Sequence, residues 1–152
     1  MIKNSDEIEI MKNSINTTKE AIYNVMNHHD ELDNEMVAEA YHSFILHKNA
    51  KVESFGSIVA AGKNAATLHY EDNNMPIEKD SLLLMDVGCF TNNYSSDITR
   101  TIPVSGKFTT RQKEVYEVVL DCNKKCIEYA KAGMSWLELN NYAKKLLAAG
   151  CK

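Results

Sequence analysis

No uninterrupted apolar run in this 152-residue chain approaches the ~20 residues that a membrane-spanning helix needs. The opening residues, MIKNSDEIEIMKNS, lack the apolar stretch of a secretory leader, so no secretion signal is expected. Positive charge is in deficit. Seventeen Lys and Arg against 21 Asp and Glu give a net charge of −4, and no electrostatic footprint for nucleic acid. With 2 Pro and 6 Gly, the composition excludes a low-complexity chain. The four cysteines, Cys89, Cys122, Cys126 and Cys151, form no C-x-x-C pair, which argues against a zinc ribbon or a thioredoxin-type site. Without a secretion signal they are expected to be free thiols in a reducing, cytoplasmic setting. What is present is ordinary for one globular domain: 44% hydrophobic and 25% charged residues.

Patterning divides the chain into helices, strands and helices again. Asn4 with Glu7 predicts a capping box, followed by Ile8, Met11, Ile15, Ile22 and Val25 at helical spacing. A second helix is expected from Asp33, with Met36, Ala40, Phe44 and Tyr41 as its apolar face and Leu32 and Val37 as a staple. His42 and His47 are five apart and do not stack on one face, so no metal role is assigned to them. Ser57–Ala61 reads as a short strand. Ser81–Val87 is a near-continuous apolar run, as in a strand covered on both faces. Tyr94–Val104 reads as its return strand, with Pro103 near the end. Thr109 with Gln112 and Ser135 with Glu138 predict two more capped helices. Val115, Val119, Cys122, Cys126 and Ala130 form the stripe of the first, closed by Gly133. The order is α, α, β, β-hairpin, α, α, and no linker divides it.

The chemistry-bearing residues lie in the hairpin. Asp86 interrupts an apolar strand, where an unpaired carboxylate is costly. A turn at Thr91-Asn92 would set Asp86 directly opposite Asp97. A turn at Asn92-Asn93 would set it opposite Thr99, with Asp97 as the diagonal neighbour. Both registers keep the two carboxylates on one face, and opposed Cβ atoms would be roughly 4.5–5.5 Å apart. Like charges that close need a proton or a cation between them, and paired carboxylates suit Mg²⁺ or Mn²⁺. Other readings stay open: hydrogen bonding within the turn, or general acid and base work. A phosphoaspartate enzyme lacks its Gly-rich phosphate loop here. His69, in Thr67-Leu68-His69-Tyr70, follows a turn-rich loop, where histidines are usually just solvated.

The blocks Ser54-Phe55-Gly56-Ser57-Ile58-Val59-Ala60, Thr67-Leu68-His69-Tyr70, Leu84-Met85-Asp86-Val87-Gly88, Tyr94-Ser95-Ser96-Asp97-Ile98-Thr99-Arg100-Thr101 and Val104-Ser105-Gly106-Lys107-Phe108-Thr109 closely resemble the Xaa-Pro aminopeptidase and prolidase group of the pita-bread metallopeptidases. They stand in family order and spacing, and the resemblance runs from about Asp6 to Cys151. It implies an α+β fold, half of a pita-bread domain: an antiparallel sheet with helices packed on one face. Residues 1–152 would be the N-terminal half of the catalytic domain, with the C-terminal half absent.

The same resemblance implies a site with two divalent metal ions, most often Mn²⁺. Asp86 matches the carboxylate that holds one metal, and Asp97 matches the one that bridges both. His69 matches a catalytic histidine on the substrate side, while Thr99 and Arg100 would support the ligands from behind. The implied reaction is cleavage before a proline in second position, by attack of a metal-bridging hydroxide on the peptide carbonyl. One His and two Glu ligands of the family find no match here. The isolated chain is therefore expected to be inactive, and to form a homodimer through the face left by the missing half. A prolidase, or a peptide-binding or protein-binding relative without catalysis, are the alternatives the resemblance leaves.

Overall fold

Asn4 opens the first helix by accepting the Glu7 amide at 2.9 Å, while its own amide donates to the Glu7 carboxylate at 2.7 Å. This reciprocal pair satisfies two backbone donors that a helix start leaves free. In this computed structural model, which describes residues 2–49 and 51–151, the helix runs over Ser5–Asn27 (α1). A short 3₁₀ turn, His29–Glu31, leads to α2, Glu35–Lys48. Asn34, not Asp33, caps α2, accepting the Met36 amide at 2.9 Å.

The strands are β1 Val52–Glu53, β2 Ile58–Ala61, β3 Leu82–Val87, β4 Cys89–Thr91, β5 Tyr94–Ser95 and β6 Ile98–Pro103. They form two antiparallel sheets, β2-β3-β6 and β1-β4-β5. One ribbon, residues 82–91, thus supplies the central strand of both. The turn is Asn92-Asn93, with φ of 47° and 67°. Two consecutive left-handed residues suit the twist of a two-residue hairpin, and Asn tolerates that conformation. The return strand is split at Ser96-Asp97, where the hairpin passes from one sheet to the other.

Gly88 marks the same crossing on the outgoing arm. A Cβ there would lie 2.1 Å from the Ser96 carbonyl oxygen and 2.2 Å from Ser54 Oγ. Only glycine allows the two arms to come so close. Ser96 is buried beside it and closes the crossing. Its Oγ accepts the Cys89 amide at 3.0 Å and lies 2.7 Å from Thr18 Oγ1. From α1, Ser14 Oγ donates to the Tyr94 carbonyl at 3.2 Å, and Glu7 accepts a hydrogen bond from the Tyr94 hydroxyl.

The main core unites Ile22, Val25, Leu32, Ala38, Val59, Leu83, Met85, Val87 and Ile102. It lies where α1 and α2 meet the β2-β3-β6 sheet. The apolar face expected of α2 is not the buried one. Met36, Ala40 and Phe44 are exposed, and Glu35, Ala38, His42 and Leu46 face inward. Helical periodicity identifies stripes, but α2 carries apolar residues on more than one side, so the pattern does not select the core face. Likewise Ile8 and Ile15 of α1 are largely exposed.

Residues 1–107 form one compact unit and 108–152 a second. The second holds α3, Thr110–Tyr129, and α4, Trp136–Gly150. Thr109 with Gln112 forms a full capping box, and Ser135 Oγ accepts the Glu138 amide at 3.1 Å. Cys122 is buried in the seam, its Sγ 3.6 Å from the Ala143 carbonyl oxygen, and the Tyr129 and Tyr142 rings stack at 4.2 Å. Cys126 is half-buried, while Val115, Val119 and Ala130 of the expected stripe are exposed, because two helices cover only a narrow seam between them. Gly133 does not end α3 directly. The helix stops at Tyr129, and Gly133 takes φ of 89° in the turn before α4.

Candidate metal centre

The register places three side chains in a row across one sheet. Ile58 of β2 pairs with Asp86 of β3, and Asp86 pairs with Thr99 of β6. Asp97, two residues before Thr99 and just ahead of β6, lines the same cavity as Asp86. This is the second of the two registers left open by the sequence. The Thr99 hydroxyl donates to Asp86 Oδ1 at 2.7 Å.

Asp86 and Asp97 meet at a cavity of about 330 Å³, lined also by Phe55, Gly56, Ile58, His69 and Glu71. The carboxyl of Asp97 is held above its usual pKa, first by partial burial, then by the Asp86 charge and a hydrogen bond with Asp86. The two charges repel, and a cation placed between them would relieve that repulsion. Both donors are hard carboxylate oxygens, a set that fits a hard divalent cation. Two carboxylates leave most of a coordination shell open. Among the described residues, no group of three or more His, Cys, Asp and Glu side chains is arranged to hold a metal ion.

His69 reaches the cavity from the loop that follows the 3₁₀ turn Gly62–Ala66. It is exposed and adopts φ of 53°, a left-handed conformation that few non-glycine residues occupy. The next residue, Tyr70, is buried, and its hydroxyl donates to Glu35 Oε2 at 2.7 Å. Arg100 does not line the cavity. It pairs with Met85 rather than Asp86, is exposed, and donates from Nη1 to the Thr99 carbonyl at 2.7 Å. Of the five residues singled out from the sequence, three line the cavity, one holds Asp86, and one stands apart. Glu71 and Phe55 line it as well and were not foreseen. Their only sequence signal is closeness to His69 and to Gly56.

Comparison with known proteins identifies the family of the chain. Residues 9–152 match the profile of metallopeptidase family M24. A Phaeosphaeria nodorum protein named as a probable Xaa-Pro aminopeptidase is 40% identical over 97% of this chain and 32% of its own length. A second, from Pyrenophora tritici-repentis, is 40% identical over 99% of this chain and 33% of its own. Among solved structures, zinc-substituted Escherichia coli aminopeptidase P in complex with product superposes with a TM-score of 0.92 at 30% identity. It covers 97% of this chain and 34% of that one. The chain thus spans about a third of the length of the relatives it matches, and its mixed helix and antiparallel-sheet architecture is consistent with half of a pita-bread fold.

Proposed function

The chain belongs to metallopeptidase family M24, and from that premise we propose that it is part of an aminopeptidase that releases an N-terminal residue preceding proline. The observation that carries this reading is the meeting of Asp86, Asp97 and His69 at one cavity. In this reading Asp86 and Asp97 would be the carboxylate ligands of a site for two divalent cations, Mn²⁺ by preference. Cations held there supply Lewis acidity and an activated water for peptide hydrolysis.

The protein groups then divide the remaining work. The Thr99 hydroxyl keeps one Asp86 oxygen in a fixed direction. Arg100 fixes the backbone on which Thr99 sits, through the Thr99 carbonyl. His69, which lines the same cavity, donates a hydrogen bond to the scissile peptide group and so orients it. Ile58 and Phe55 supply an apolar wall against which a short peptide rests. The peptide substrate carries proline in second position.

The remaining ligands of a dinuclear site are to come from outside the described residues. The isolated chain therefore binds Mn²⁺ weakly and turns over no Xaa-Pro peptide at a significant rate. Its exposed apolar side chains, Met36, Phe44, Val115 and Val119 among them, support self-association as a homodimer. Four free cysteines fit a reducing compartment, the cytoplasm; no helix is long and apolar enough to cross a membrane among the described residues.

The deciding experiment is Mn²⁺ binding, followed through the paramagnetic resonance signal of the free ion, in the wild-type chain and in Asp97→Ala. The expected result is measurable affinity that the substitution abolishes. Equal affinity in both would overturn the site assignment.

A further inference from the structure

Among the described residues, Glu35 is the one acidic side chain that is completely removed from solvent, and it is not alone there. Its Oε1 accepts the Ala61 amide at 2.8 Å and Asn64 Nδ2 at 2.9 Å. Its Oε2 accepts the Tyr70 hydroxyl at 2.7 Å and the Met75 amide at 3.1 Å. Burial alone would raise the pKa of this carboxyl, but the four donors outweigh it and hold the group below its usual value, so it is ionised at neutral pH. A charged acceptor with four donors is among the stronger polar arrangements a core can hold.

The four donors are not scattered. Ala61 ends β2, Asn64 lies in the 3₁₀ turn, Tyr70 follows His69, and Met75 closes the segment. They bracket one loop, 62–75, on both sides of His69. That loop carries a residue at φ of 53°, a conformation that persists only where its surroundings over-determine it. Asn64 Nδ2 also lies 3.2 Å from the Tyr70 hydroxyl, which ties the two sides of the loop to each other.

We propose that Glu35 is a positioning residue for His69: through Asn64 and Tyr70 it fixes the loop that presents the imidazole to the cavity of Asp86 and Asp97. The importance of this for turnover rests on the reading of that cavity as the reaction site, but the positioning itself does not.

The test is nuclear magnetic resonance and amide exchange on the 152-residue chain, comparing wild type with Glu35→Gln and Tyr70→Phe. Glutamine keeps the shape but cannot accept at both ends. The expected result is a shifted or broadened His69 ring signal. Amide exchange over residues 62–70 should also become about tenfold faster, as suits loss of one hydrogen bond to a charged acceptor. The β3 amides of Leu83 and Met85 should stay protected. An unmoved His69 signal in a folded variant would overturn the proposal. Equal loss of protection in β3 would too, since it would make Glu35 a general stabiliser. Should Glu35→Gln fail to fold, Tyr70→Phe, which removes a single hydroxyl, decides alone by the same readouts. None of these measurements uses a metal or a peptide. A failed Mn²⁺ experiment would therefore leave this inference standing, and a failed loop experiment would leave the metal assignment standing.

Discussion

Asp86 faces Thr99 across the β3-β6 ladder, and the threonine hydroxyl donates to its carboxylate at 2.7 Å. The aspartate is therefore oriented before any cation arrives. Thr99→Val keeps the β-branched shape and removes only the donor. Since Thr99 is exposed, stability should change by no more than about 0.5 kcal/mol. Mn²⁺ affinity, read by titration calorimetry, should fall roughly tenfold, as is usual when a ligand loses its orienting partner. Unchanged affinity would remove Thr99 from the site.

Asp97 offers a pH test. Its folded pKa is raised above the reference value of 3.8, so the folded state holds the proton more tightly than the unfolded state. The stabilisation from that proton is complete below about 3.8 and is lost as pH rises through the folded value. Metal-free Asp97→Asn should then be more stable than wild type at neutral pH, with the gap closing in acid. Urea midpoints measured across that range check it. A constant gap would show that the Asp86–Asp97 repulsion is not the cause.

Tyr70 should ionise well above the ordinary tyrosine value. Burial first, then its hydrogen bond to Glu35 and the Glu35 and Asp72 charges, push its hydroxyl up to about 12. The folded value exceeds the ordinary 10.0, so its contribution to stability is present below pH 10.0 and is lost on approaching about 12. Ultraviolet titration of wild type minus Tyr70→Phe should isolate one late transition. A difference curve centred near 10.0 would show that the Glu35 network is open in solution.

Gly88→Ala should be among the most damaging single substitutions. Its methyl group would stand 2.1 Å from the Ser96 carbonyl oxygen, 2.2 Å from Ser54 Oγ and 2.8 Å from the Phe55 ring. Backbone at that distance cannot rotate away. A loss of about 3 kcal/mol or more is expected, visible as a lowered denaturation midpoint.

Asn93→Gly should act in the opposite direction. Asn93 holds φ of 67° at the second turn position, where glycine is the usual occupant. A gain of about 0.5 kcal/mol in urea unfolding is expected, and a loss would mean that the Asn93 side chain does more than permit the turn.

Much of this arrangement can be read from the residues. The capping boxes at Asn4 and Thr109 and the apolar run ending in Asp86-Val87 are local signals, and local rules predict them. The shared face of Asp86 and Asp97 needs only strand parity. The choice between the two turns was also within reach, since a β-branched Thr91 resists the left-handed conformation that both turn positions require. What stayed hidden is non-local. Nothing near Glu35 in sequence shows that Ala61, Asn64, Tyr70 and Met75 will surround it, so an acid on a helix start looks like a solvated one. The same holds for Met36 and Phe44, whose apolar character suggested burial while Glu35 and His42 took the inner face. The likeness to known metallopeptidases was carried by the hairpin blocks, which are contiguous in sequence and so survive without three-dimensional context.

Residues 82–91 form the middle strand of two sheets at once. A middle strand that slips by one residue turns its inward side chains outward. Here the slip would have to be accepted on both sides of Gly88 together, by the β2-β3-β6 ladder and by the β1-β4-β5 ladder. Each sheet therefore acts as a proofreader for the alignment of the other. The spacing of Asp86 relative to Asp97 is fixed by that double check before any ligand is present.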